Sequence, residues 1–174
     1  MMTRIEEALE FATIAHEGQV RKYTFEPYIN HPIEVMNIVK TVPHTEDMLI
    51  AALNHDGIED TWVEYTDVLF KFGKVVADLV QDLTDVSKPE DGNRAQRKEI
   101  DRQHTAKASP AAKTIKLADL ISNSKSILEH DKDFAKVYIK EKELLLGVLT
   151  EGDPALYVQA KDIVEKAKKE LGID

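Results

Sequence analysis

The stretch Ala51-Ala-Leu-Asn-His-Asp-Gly-Ile-Glu-Asp-Thr61 limits what this chain can fold into more than any other. An apolar run with helical character, Met48 to Leu53, ends in His55-Asp56. Gly57 follows at once, where a helix end favours a residue free to turn left-handed. Glu59 and Asp60 come directly off that turn. One imidazole and three carboxylates are thus crowded against the end of a helix that reads as buried. Carboxylates this close disfavour one another's ionisation unless a counter-charge is present. A divalent cation is the natural counter-charge. The pairing of His with Asp suits zinc, manganese or iron, and the added carboxylates lean toward the harder ions.

The elements around this stretch read as helices throughout. Thr3 and Glu6 have capping-box spacing, and Ile5, Leu9, Ala12 and His16 share one helical face up to Gly18. Residues 19–30 form a loop that holds Arg21, Lys22 and Pro27. Asn30 or His31 caps the next helix, Pro32 fits its first turn, and Pro43 ends it. A third helix is predicted over 46–56. Two shorter ones follow, over 65–72 and from Val75 to near Val86, before the loop-like stretch 87–92. Residues 93–107 are helical but very polar. Ser109-Pro110 and Asp153-Pro154 are cap-plus-proline helix starts, and Asp131 or Asp133 starts the helix between them. No alternating β-branched run and no hairpin turn occurs. The expectation is an all-α chain of about nine helices, a single domain spanning 1–174.

Composition narrows the function. The net charge of −9 argues against a protein that coats nucleic acid, which would be basic. It leaves room for a small anion held by a local basic patch. The absence of cysteine removes disulfides and thiolate metal sites. The polar N-terminus does not read as a signal peptide, and no apolar run approaches membrane length. A soluble, cytoplasmic protein with no membrane partner is the default expectation, with a homodimer left open.

Two further stretches complete the pattern. Tyr28-Ile-Asn-His-Pro-Ile33 places His31 at a helix start. Ile115-Lys-Leu-Ala-Asp-Leu-Ile-Ser-Asn123 places Asp119 inside a helix, with Lys116 and Asn123 on its face. His, then His-Asp, then Asp, in this order, resembles the HD metal-dependent phosphohydrolases. Arg21-Lys22, Glu26-Pro-Tyr-Ile-Asn-His-Pro32, His55-Asp56 with Glu59-Asp-Thr61, and Lys116-Leu-Ala-Asp119 with Asn123 are similar to the hydrolase domain of the alarmone synthetase/hydrolases. The resemblance runs from about Phe11 to Leu146 and is nearest to the small stand-alone alarmone hydrolases.

That resemblance implies an HD-type helical bundle and one Mn²⁺ per chain, held by His31, His55, Asp56 and Asp119. The ion would act as Lewis acid at the phosphoryl oxygen and lower the pKa of a water. Glu59 and Asp60 are implied to orient and deprotonate that water. Arg21 would lie by the base and Lys22 by the phosphates, with Asn123 and Tyr138 also on the ligand. Arg97 and Lys98, in the densest positive cluster, are candidates for the phosphate rim. The implied substrate is a small guanine nucleotide, (p)ppGpp, cut at the 3′ position to release pyrophosphate. Gly57 departs from the pattern, which more often has Thr or Val there, and predicts a looser loop. His16 reads as structural, and His44, His104 and His130 as solvated surface groups. Alternatives are another 3′- or 2′-phosphorylated nucleotide such as ppApp or NADPH, a regulator without catalysis, and an RNA- or DNA-processing enzyme. The intact Glu59-Asp60 pair argues against a regulator, and the net charge against a nucleic-acid enzyme.

Overall fold

A computed structural model describes all 174 residues, Met1 to Asp174. The chain divides into two compact units, Met1–Asp85 and Val86–Asp174. It has ten α-helices, one short 3₁₀ turn and no strand. The helix beyond the expected nine is a single turn. No helix is long and apolar enough to cross a membrane.

The first unit holds α1 (Arg4–Ala15), α2 (Asn30–Val39), α3 (Glu46–Asn54), α4 (Gly57–Asp60), α5 (Tyr65–Phe72) and α6 (Lys74–Leu83). Thr3 caps α1 in a reciprocal box with Glu6. Thr45 caps α3 by accepting the Met48 N–H at 3.2 Å. Every residue from Met48 to Asn54 is buried, so beyond its first turn α3 has no solvent face. A helix apolar on all sides is a central helix, and α3 packs against α1, α2 and α6. Truncating Leu53, fully buried on α3, to Ala would cost about 2–5 kcal/mol.

The second unit holds a 3₁₀ turn at Pro89–Asp91, then α7 (Arg94–Ala106), α8 (Pro110–His130), α9 (Lys132–Leu146) and α10 (Pro154–Leu171). Here α8, α9 and α10 pack against one another around Ile115, Leu117, Leu120, Ile121, Ile139, Leu149 and Leu156. Gly152 fits a tight corner: an added Cβ would meet Leu117 Cδ1 at 2.7 Å and the Lys113 backbone carbon at 3.2 Å, so its neighbours would have to shift. Asp101 pins the loop that opens the unit. Its Oδ1 accepts the Val86 and Ser87 N–H groups, and its Oδ2 accepts the Ser87 hydroxyl at 2.8 Å.

Candidate metal centre

The metal-ligand candidates of the first unit gather where two helix ends meet. Helix α2 starts at Asn30 with Ile29 as its N-cap, so neither Asn30 nor His31 serves as a side-chain cap. His31 is instead buried in its first turn, 2 % exposed. Helix α3 stops at Asn54, two residues short of the expected end, and His55 is its C-cap. The two rings lie edge to face with centroids 5.3 Å apart. The Asp56 carboxylate faces both: its Oδ2 is 3.1 Å from His55 Nε2 and 3.7 Å from His31 Nε2. His55 Nδ1 lies 2.7 Å from the Ala52 carbonyl. A carbonyl only accepts, so Nδ1 carries a proton and Nε2 is the nitrogen that faces Asp56 and a ligand.

Asp56 belongs to two groups at once. One ligand atom from each of His31, His55 and Asp56 lies within 4.8 Å of the others, and the same holds for Asp56, Glu59 and Asp60. Two buried imidazole nitrogens and a carboxylate converging from separate segments fit a divalent cation. The acidic turn is helical rather than loose. Gly57 opens α4, has no positive φ, and would present an added Cβ only to Val63 at 3.8 Å. This corrects the left-handed turn and the looser loop expected from the sequence. The chain continues right-handed because the Asp60 and Thr61 N–H groups bond back to Asp56 and Gly57 at 3.0 Å.

Glu59 and Asp60 are exposed at their surfaces but tied at one edge each. Glu59 Oε1 accepts the Asp85 N–H at 3.1 Å. The Asp60 carbonyl accepts the Gln19 side-chain amide at 2.9 Å. Partial desolvation by the surrounding protein pushes the Asp60 carboxyl above its ordinary range, with Asp56 adding to the effect and His16 and His55 opposing it. A higher pKa makes a carboxylate a better proton acceptor.

Three neighbours of this centre were not singled out as functional in the sequence. The Tyr28 hydroxyl donates to Asp56 Oδ2. The Tyr28 ring lies 5.8 Å from His31 and 4.7 Å from His16, and the Arg21 guanidinium sits over it at 5.9 Å. His16, read as structural, is 3 % exposed and its Nδ1 bonds Gln19 Oε1 at 2.8 Å. Gln19 in turn reaches Asp60. Arg21 and Lys22 lie on a tight loop, bridged at Val20 and Pro27, in which Phe25 takes φ +60. Lys22 Nζ is 5.4 Å from the Tyr23 ring. The signal that would have found Tyr28 is its place three residues before a ligand-type histidine at a helix start. The other two carried none.

The remaining candidates belong to the second unit. Asp119 is buried on α8, where Asn123 Nδ2 donates to its Oδ1 at 3.0 Å and Lys116 Nζ lies 3.9 Å from its Oδ2. Tyr138 is buried on α9, with Phe134 at 6.2 Å and Lys142 Nζ 4.8 Å from its ring. Lys142 was also not anticipated. Burial, with Lys116 and Lys98 nearby and only Asp119 and Glu141 opposing, pulls its pKa down to about 8. Arg97 and Lys98 are half-buried on α7. Lys98 lines a groove of about 430 Å³ with Arg94, Arg102, Lys136 and Lys140, in which Arg94 is already held by Glu141 at 2.7 Å. His44 and His130 are exposed, while His104 is only half-exposed.

The chain is 40 % identical over 124 residues to guanosine-3′,5′-bis(diphosphate) 3′-pyrophosphohydrolase MESH1 of Drosophila melanogaster, covering 70 % of this chain and 68 % of that one. The human MESH1 is 36 % identical over the same shares. A solved structure described as a metazoan ortholog of SpoT that hydrolyses ppGpp superposes with TM-score 0.84 at 28 % identity, over 100 % of this chain and 98 % of the other. Residues 8–143 match the family described as the HD domain. With the match running from α1 through most of α9, and with a relative covered over two thirds of its length, the chain belongs to the HD-domain family.

Proposed function

We propose that the chain hydrolyses ppGpp and pppGpp at the 3′ position in the cytoplasm, acting as one HD-type domain with one Mn²⁺. The observation that carries this reading is the convergence of His31, His55 and Asp56 within 4.8 Å beside Glu59 and Asp60. The names of the MESH1 relatives, and a family match that runs across both units, support it.

In this reading His31, His55 and Asp56 hold the ion, with Asp119 carried over from the sequence motif as the ligand supplied by α8. When bound, the ion supplies Lewis acidity at a phosphoryl oxygen and lowers the pKa of a water. The mixed imidazole and carboxylate donors suit Mn²⁺. Glu59 and Asp60 take the proton from the attacking water. The water oxygen bonds to the phosphorus nearest the ribose. The bond from that phosphorus to the 3′-oxygen breaks, and the 3′-oxygen is protonated. GDP or GTP and pyrophosphate leave. Arg21, which lies over the Tyr28 ring, meets the base in this reading. Lys22, Lys98 and Arg97 offset phosphate charge, and Asn123 and Tyr138 complete the ligand contacts.

Purified protein with Mn²⁺ should convert ppGpp to GDP and pyrophosphate in equal amounts. GTP should be a poor substrate although it shares the base, because attack needs the 3′-phosphorus aligned and a displacement of about 1 Å can cost ~10²-fold. Release of single phosphates, or faster turnover of ppApp or NADPH, would overturn the substrate assignment.

A further inference from the structure

We propose that Tyr28 is a positioning residue that holds the Asp56 carboxylate in its ion-binding orientation, braced from behind by His16 and Gln19. The inference rests on the metal reading of the site. Asp56 is a short side chain just past a helix end, between two imidazoles and two further carboxylates. Without a donor, mutual repulsion with Glu59 and Asp60 would turn it away. The Tyr28 hydroxyl supplies that donor, and it addresses the same Oδ2 that faces His31 and His55. A carboxylate oxygen has a second lone pair, so it can accept this bond and still serve a cation.

The ring that carries the hydroxyl is fixed on several sides. Its backbone N–H donates to the Gln19 carbonyl at 2.9 Å. His16 packs against the ring at 4.7 Å, and His31 meets it at 5.8 Å. His16 Nδ1–H donates to Gln19 Oε1, and the Gln19 amide donates to the Asp60 carbonyl. Donors and acceptors alternate along that chain, and such chains strengthen cooperatively. One assembly thereby sets the Asp56 carboxylate and the backbone of Asp60. Because Arg21 lies over the same ring, the loop proposed to meet the base is built on the residue that orients a ligand of the ion. Partners of metal ligands are commonly worth about 10–100-fold in metal affinity.

The test is Tyr28→Phe, which removes the hydroxyl and keeps the ring. Mn²⁺ titrated calorimetrically into protein without nucleotide should bind roughly 10–100-fold more weakly than to wild type. Steady-state ppGpp hydrolysis should fall at limiting Mn²⁺ and return to within a few-fold of wild type at saturating Mn²⁺, with KM for ppGpp little changed. Tyr28→Leu, which also removes ring contacts with His16 and Arg21, should add a rise in KM that excess Mn²⁺ does not restore. Equal Mn²⁺ affinity in wild type and Tyr28→Phe overturns the inference and leaves the metal reading standing. A loss of activity that saturating Mn²⁺ fails to restore also overturns it, because it marks a merely structural role. No Mn²⁺ binding by wild type would overturn the metal reading, and this inference with it.

Discussion

The first unit carries 6 basic and 16 acidic residues, and the second carries 17 and 16. The overall charge of −9 therefore hides an acidic half and a nearly neutral one. In the first unit the acidity is concentrated, with three carboxylates and two buried imidazoles packed around one helix end. In the second, the group under electrostatic stress is a cation: Lys142 is depressed to about 8 by burial and by other lysines. Each unit crowds charge of one sign, carboxylates in the first and lysines in the second. Crowded carboxylates call for a cation, and crowded lysines call for an anion. A net charge averaged over the chain would have concealed both.

The largest expected effect breaks the acidic side of this comparison. Asp56→Ala should lose the bound ion and the hydrolase activity together, because Asp56 belongs to both carboxylate groupings. Full metal content by elemental analysis in that variant would show that the crowding serves something other than an ion. Glu59→Gln is next. It should keep the ion while turnover falls by roughly 10²–10⁴, the usual worth of general base catalysis. Wild-type turnover would remove Glu59 from the mechanism. Arg21→Ala should weaken nucleotide binding by roughly 10–100-fold, the value of a charge-assisted contact, and leave metal content untouched.

Lys142→Met probes the basic side. The native pKa of Lys142 lies below its ordinary value of 10.5, so folding disfavours its charged form. The resulting penalty is fully present below pH ~8 and vanishes as pH rises to ~10.5. The substitution should stabilise the nucleotide-free protein by about 1–3 kcal/mol at pH 7, less at higher pH. Urea unfolding at pH 7 and at pH 10 measures the difference; a gain that grows with pH would reverse the sign. The smallest effect is expected at Gly57→Ala. The backbone there is helical and the new methyl only touches Val63 at 3.8 Å, so stability should rise by about 0.4–1 kcal/mol. A drop in thermal midpoint would mean that the acidic turn needs its glycine after all.

The helices were legible because their signals are local. Thr3 with Glu6, Asn93, Ser109-Pro110, Asp131 and Asp153-Pro154 each cap a helix within about one turn of chain. The gathering of His31, His55 and Asp56 was legible only through the resemblance of their motifs to the HD hydrolases, because no local signal pairs His31 with His55. Gly57 misled because glycine permits a left-handed turn without requiring one. Whether the chain turns or coils there depends on carbonyls further back, to which Asp60 and Thr61 donate.

What the sequence by itself determined is the all-α class, most helix boundaries, and which residues offer ligand chemistry. What only the tertiary structure decided is how those residues are held. Tyr28 and Asp56 are 28 residues apart, and Gln19 and Asp60 are 41 apart. No periodicity or cap relates such positions; only the packing of α1, α2 and α3 brings them within a hydrogen bond. The depressed Lys142 has the same origin. A lysine in an amphipathic helix reads as solvated until neighbouring helices half-bury it and set other lysines nearby.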